Sequence, residues 1–136
     1  IRSNSWAPSS PSSCLICMVT ADWEYPSCWA DFEKYKYPEL ALLYHVPNGG
    51  GRNAIEAKHL KMQGVRAGVP DLCLPVARGK WHGLYIELKA GRNKTTQLQD
   101  MWLEKLREQD YVAEVCYGWR QAAEVLEKYL EWGRET

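Results

Sequence analysis

Three residues have types and a spacing suited to chemistry: Asp71, directly after Gly68-Val69-Pro70, and Glu87 and Lys89 in Tyr85-Ile86-Glu87-Leu88-Lys89. Side chains alternate along a strand, so Glu87 and Lys89 project from one face while Leu88 points into the core. A charged pair on a strand that otherwise reads Leu84, Ile86, Leu88 is costly unless it serves a purpose. If the strands around Asp71 and Glu87 form an antiparallel hairpin turning at Arg78-Gly79-Lys80, position 71 faces position 87. The two carboxylates then meet, with Lys89 just beyond. They repel unless a cation lies between them, and hard oxygen ligands suit Mg²⁺ or Mn²⁺. Such an ion binds a phosphate oxygen, lowers the pKa of its water and offsets developing negative charge. The Lys89 ammonium could orient the attacking water or, with a lowered pKa, act as a base. Singly, these residues read as a surface ion pair and a turn-capping aspartate; together they point to metal-assisted hydrolysis of a phosphodiester.

Other elements must hold this constellation. Helical spacing over 27–36 places Trp29, Phe32, Glu33 and Lys36 after a Ser27 cap, with Tyr37-Pro38 as a stop. Residues 40–46 read as a short buried strand ending at the turn Pro47-Asn48-Gly49-Gly50-Gly51. Residues 53–63 read as a helix with Ile55, His59, Leu60 and Met62 partly on one side, closed by Gly64. Strands follow from Val69 or Asp71 to Val76 and from Trp81 to Ala90, with Gly91-Arg92-Asn93-Lys94 as the exit loop. A helix over 96–108 repeats Leu98, Trp102 and Leu106; a strand over 111–117 and a helix over 120–132, with Ala122, Leu126, Tyr129 and Leu130 inward, complete the chain. The order predicts an α/β class with a central mixed sheet flanked by helices.

A chain of 136 residues accommodates one core. No apolar run approaches the roughly 20 residues of a membrane span, and the first residues lack the pattern of a secretory leader. Residues 1–26, rich in Ser and Pro, read as a loosely ordered leader, and 27–136 as the domain. Five irregularly spaced cysteines argue against a disulfide framework. Cys14-Leu-Ile-Cys17 has the spacing of a zinc knuckle, but no second ligand pair follows, so free thiols are expected.

The formal net charge is zero, yet residues 48–94 hold nine bases against three acids. That basic middle suits a phosphate backbone, with Arg52, Lys61, Arg66, Arg92 and Lys94 as candidate contacts. Glycines after Asn48 could bring backbone amides close to a phosphate. His45 could touch DNA or metal, although a lone histidine at a strand end is more often structural. Aromatic residues could stack on unpaired bases, although most lie at core-like spacings; Trp81 and Trp119 are the ones to test as surface contacts.

The series His45-Val46-Pro47-Asn48-Gly49-Gly50, then residues 61–72 (KMQGVRAGVPDL), then His82-Gly83-Leu84-Tyr85-Ile86-Glu87-Leu88-Lys89 resembles the VRR-NUC branch of the PD-(D/E)XK nuclease superfamily. Gln99 with Trp102, and Val115-Cys116-Tyr117, extend the likeness from about Trp29 to Leu130. It implies a restriction-endonuclease-like sheet and an Mg²⁺-dependent endodeoxyribonuclease. Asp71, Glu87 and the Leu88 carbonyl would be metal ligands, Lys89 would assist the nucleophile, and Gln99 would be a supporting catalytic residue. Stand-alone phage and bacterial members further imply a cytoplasmic homodimer acting on Holliday junctions. Two departures stand out. Ala67 replaces a second arginine after Arg66, and the acid expected on the first helix has only Asp22, Glu24 and Glu33 as candidates. Without that acid, the rival expectation is a catalytically impaired module that binds branched DNA.

Overall fold

The computed structural model describes residues 37–46 and 53–132. The expected helix over 27–36, the turn over 47–51, the leader, and the candidates Asn48 and Arg52 lie outside them. Four strands, β1 (Tyr44–His45), β2 (Leu72–Leu74), β3 (Leu84–Lys89) and β4 (Val112–Tyr117), form one sheet in the order β1-β2-β3-β4. β2 runs antiparallel to both β1 and β3, and β4 runs parallel to β3, so the sheet is mixed. Helices α1 (Ala54–Met62), α2 (Gln97–Glu108) and α3 (Trp119–Trp132) accompany it, as an α/β fold of this class requires. No described helix is long and apolar enough to cross a membrane.

The apolar positions decide how the layers close. Leu72 and Leu74 pair with Ile86 and Leu84, so these side chains and Leu88 share one face. That face packs against Ala122, Leu126, Tyr129 and Leu130 of α3, with Tyr37 and Leu40 completing the cluster. Each fully buried leucine contributes roughly 1.5–3 kcal/mol relative to its exposed state. The Tyr129 hydroxyl donates to the Val76 carbonyl at 2.5 Å, which supplies the partner that a buried phenol needs.

Helix α2 crosses over from β3 to β4 and buries Leu103. Its start is fixed by a capping box: the Gln99 amide donates to the Thr96 hydroxyl at 3.2 Å, and the Thr96 amide donates to Gln99 Oε1 at 2.9 Å. Its other end ties down β4, where Arg107 donates from Nε and Nη2 to the Ala113 carbonyl at 3.1 and 2.7 Å.

Three expectations change. Residues 40–46 are not one strand: Pro38 opens a 3-10 turn over Pro38–Leu42, and only Tyr44 and His45 pair with β2. Proline's fixed φ suits the first turn of a helix, which is how it is used here. The strand after the hairpin turn begins at Leu84, since Trp81 joins the ladder only as an isolated bridge to Arg78. Finally, α1 buries none of its residues, and among them only Leu60 is even half-buried. Among the described residues nothing packs on the inward side expected of Ile55, His59 and Met62.

Candidate active site

The hairpin places the acidic residues where counting from Gly79 put them. Leu72 pairs with Ile86, so continuing the register by one residue sets Asp71 opposite Glu87. Two hydrogen bonds hold Asp71. Its backbone carbonyl accepts from the Val46 amide at 2.7 Å, and Oδ2 accepts from the Leu88 amide at 2.8 Å. The approach to it is clamped by α2, where Trp102 Nε1 donates to the Ala67 carbonyl at 3.0 Å. Gly68 has φ +90, and a Cβ there would lie 2.9 Å from Leu98 Cγ, so glycine suits both the turn and the packing.

Glu87 is only 2% exposed, and its Oε1 has no hydrogen-bond partner among the described residues. Burial, then a hydrogen bond shared with Asp71 and that residue's charge, push its pKa up from 4.5 to about 9, while Lys89 pulls the other way. Metal-free, Glu87 therefore holds its proton at neutral pH. A buried carboxyl with an idle oxygen, facing a second carboxylate, is a donor pair that a hard divalent ion fits. Leu88 adds a third oxygen to the same edge. Residue N–H and C=O groups point to the same side of a strand, and the Leu88 N–H already meets Asp71. Among the described residues no group of three or more His, Cys, Asp or Glu side chains surrounds the pair. The first-helix candidates Asp22, Glu24 and Glu33 fall outside the described residues.

The profile of the VRR-NUC domain family matches residues 18–120. The chain belongs to the VRR-NUC domain family. Among solved structures, one described as a VRR-NUC domain protein is 32% identical and superposes with a TM-score of 0.65. The match covers 77% of this chain and 84% of that one. No curated protein matches. Membership makes this a nuclease-type domain with DNA as its class of partner, and Asp71, Glu87 and Lys89 are the residues that this VRR-NUC domain gathers at one end of its sheet.

The remaining candidates divide. Lys61 and Arg66 lie on α1 and the turn after it, exposed, on the chain that leads into Asp71. Arg92 and Lys94 are exposed in the loop that leaves β3 just past Lys89. All four lie on segments that enter or leave the strands at the Asp71 end. Arg78 and Lys80 belong to the opposite, hairpin end. Arg78 pairs with Glu39 and donates from Nε to the Leu130 carbonyl at 3.2 Å, while Lys80 Nζ sits 4.5 Å from the Trp81 ring centroid. The basic middle is thus two groups, one of them structural.

Gln99 spends its carbonyl oxygen on the α2 cap, and His45 is exposed opposite Leu72. Trp81 and Trp119 are not surface platforms, because both pack half-buried against the core. Sequence reasoning missed the Leu88 amide as the partner of Asp71. Strand alternation held the signal, since a residue whose side chain enters the core alternates its backbone groups with those of Glu87.

Proposed function

We propose that this VRR-NUC domain is a divalent-metal-dependent endodeoxyribonuclease, with Asp71, Glu87 and the Leu88 carbonyl as the metal-holding oxygens. The observation that carries the reading is the facing pair: Asp71 anchored on the Leu88 amide at 2.8 Å, opposite a buried Glu87 with an unpartnered oxygen. A bound Mg²⁺ or Mn²⁺ supplies Lewis acidity at a phosphate oxygen and a more acidic water. The chain's own residues do the rest. Asp71 stays oriented through its amide bond, and Glu87 gives up its proton when the site is charged. Lys89 places its ammonium beside the two carboxylates, where it orients the attacking water and offsets charge on the phosphate. Gln99, through its remaining side-chain amide, supports the site from the start of α2. Lys61, Arg66, Arg92 and Lys94, with Asn48 and Arg52, hold the DNA backbone.

Branched DNA of the Holliday-junction type, cut by a homodimer, is the finer form of this reading. A two-fold dimer presents two such sites to a two-fold junction, and a chain this small offers limited contact alone. The test is cleavage of labelled four-way junction, flap and linear duplex, with Mg²⁺, with Mn²⁺ and with chelator. Metal-dependent cutting that prefers the junction, and that drops by ~10³-fold or more in Asp71→Ala, supports it. Tight, salt-sensitive junction binding without cutting in either metal would replace the enzyme with a binding module.

A further inference from the structure

Helix α1 is fully specified by its sequence yet contributes nothing to the described core. Asn53 caps it, accepting from the Glu56 amide at 2.8 Å. At the other end Gly64 has φ +98, the Gly64 amide donates to Lys61 and the Val65 amide to Leu60. Isolated helices shorter than roughly 12–15 residues are marginal in water, and this one has nine, none buried. Its caps hold a helix whose outward side chains have no cover among the described residues.

What it presents is specific. At roughly 100° per residue, Lys58, Met62 and Ile55 occupy the side opposite Leu60, the helix's only half-buried residue. Lys61 and His59 flank them, while the helix's one acid, Glu56, lies on the Leu60 side. Ile55 is 69% and Met62 76% exposed. Among the described residues Lys58, Lys61 and Arg66 have no carboxylate partner. An outward face of cations around an apolar centre, without an acid, complements a polyanion that also offers apolar surface. The chain then continues through Arg66 and Gly68-Val69-Pro70 to Asp71.

We infer that α1 is the helix with which this domain docks on branched DNA: Lys58, Lys61 and Arg66 take phosphates, and Ile55 and Met62 lie against unstacked bases at the branch. Cations alone bind any duplex. Apolar side chains set against a base step gain most where stacking is already broken, so the apolar pair favours a branch over continuous helix. The inference rests on the proposed action on DNA and adds the element that selects the substrate.

Binding of four-way junction and of linear duplex is measured in chelator, where no cutting occurs, across a salt series. Lys58→Glu with Lys61→Glu is expected to weaken both DNAs at least tenfold and to lower the salt slope by about two. Ile55→Ser with Met62→Ser is expected to weaken junction binding about tenfold and to leave duplex binding unchanged. All variants should match the wild-type unfolding midpoint, as these side chains are exposed. Both double variants binding like wild type would overturn the inference while leaving the nuclease reading intact. So would a change in molecular mass by light scattering in Ile55→Asp with Met62→Asp, which would give this face to a second copy of the chain. Wild-type protein that binds neither DNA ends the underlying reading itself.

Discussion

The carboxylate end of the sheet and helix α1 are joined directly through residues 63–70, yet they invert the usual partition of side chains in opposite senses. At the first, a glutamate is buried to 2% exposure against an aspartate, with one oxygen idle. At the second, an isoleucine and a methionine stand 69% and 76% exposed beside cations that have no carboxylate partner among the described residues. Elsewhere the fold follows ordinary rules: leucines face α3, helix ends are capped, and the buried tyrosine Tyr129 bonds a carbonyl. Departures from folding logic concentrate where a site is built. The difference between the two regions separates their roles. A buried glutamate facing an aspartate offers hard oxygen donors suited to a small ion, whereas an exposed apolar and basic face suits a large partner.

The contrast can be broken by the same deletion made in both places. Ile86→Ala removes packing from the core face of β3 and should cost about 2–5 kcal/mol in urea unfolding. Ile55→Ala on α1 should change stability by no more than about 0.5 kcal/mol. Similar losses at the two sites would mean that α1 is packed after all.

A smaller effect sharpens the buried side. Glu87 has its folded pKa raised from 4.5 to about 9. Below about 4.5 folded and unfolded chains both carry this proton, and between there and about 9 only the folded chain keeps it. Its contribution to stability is therefore full at low pH and is lost as pH rises toward 9 in metal-free protein. Glu87→Gln removes that slope, so in chelator its unfolding midpoint should fall less than wild type's between pH 5 and pH 8. Parallel curves would show that Glu87 is not held protonated.

The approach to the site gives the smallest change. Gly68→Ala forces a side chain into φ +90 and against Leu98, which should cost about 1–3 kcal/mol. Cleavage should fall further than stability, because Gly68 sets the path into Asp71. Equal activity per folded molecule would uncouple that path from the site.

Much of this arrangement is legible in the amino-acid sequence alone. The turn at Gly79 follows from Arg78-Gly79-Lys80 between two apolar runs, and with it the facing of Asp71 and Glu87. Alternation of Leu84, Ile86 and Leu88 marks the core side of β3. Thr96-x-x-Gln99 is a capping box in plain sequence, although the family likeness drew Gln99 toward catalysis. Other features depend on tertiary contacts that local pattern does not encode. Ile55, His59 and Met62 look like one side of an inward helix, yet no element among the described residues covers them. Leu40 looks like the start of a strand because the turn opened by Pro38 competes with it only once Tyr37 and Leu40 find the α3 cluster. The burial of Glu87 is invisible to alternation, which distinguishes faces but cannot tell that both faces of β3 are covered.

On the proposed function, Asp71 and Glu87 jointly hold a divalent ion that the chemistry needs. The most direct test is a weakly buffered titration of Mn²⁺ into wild type and Glu87→Gln near pH 7.5, run beside a DNA cleavage assay. Displacing the proton of Glu87 should release about one proton per ion bound. That release should vanish in the variant, and wild-type cutting should rise over the same range of Mn²⁺. Proton release that is unchanged in Glu87→Gln, or full cutting by that variant, would contradict the claim.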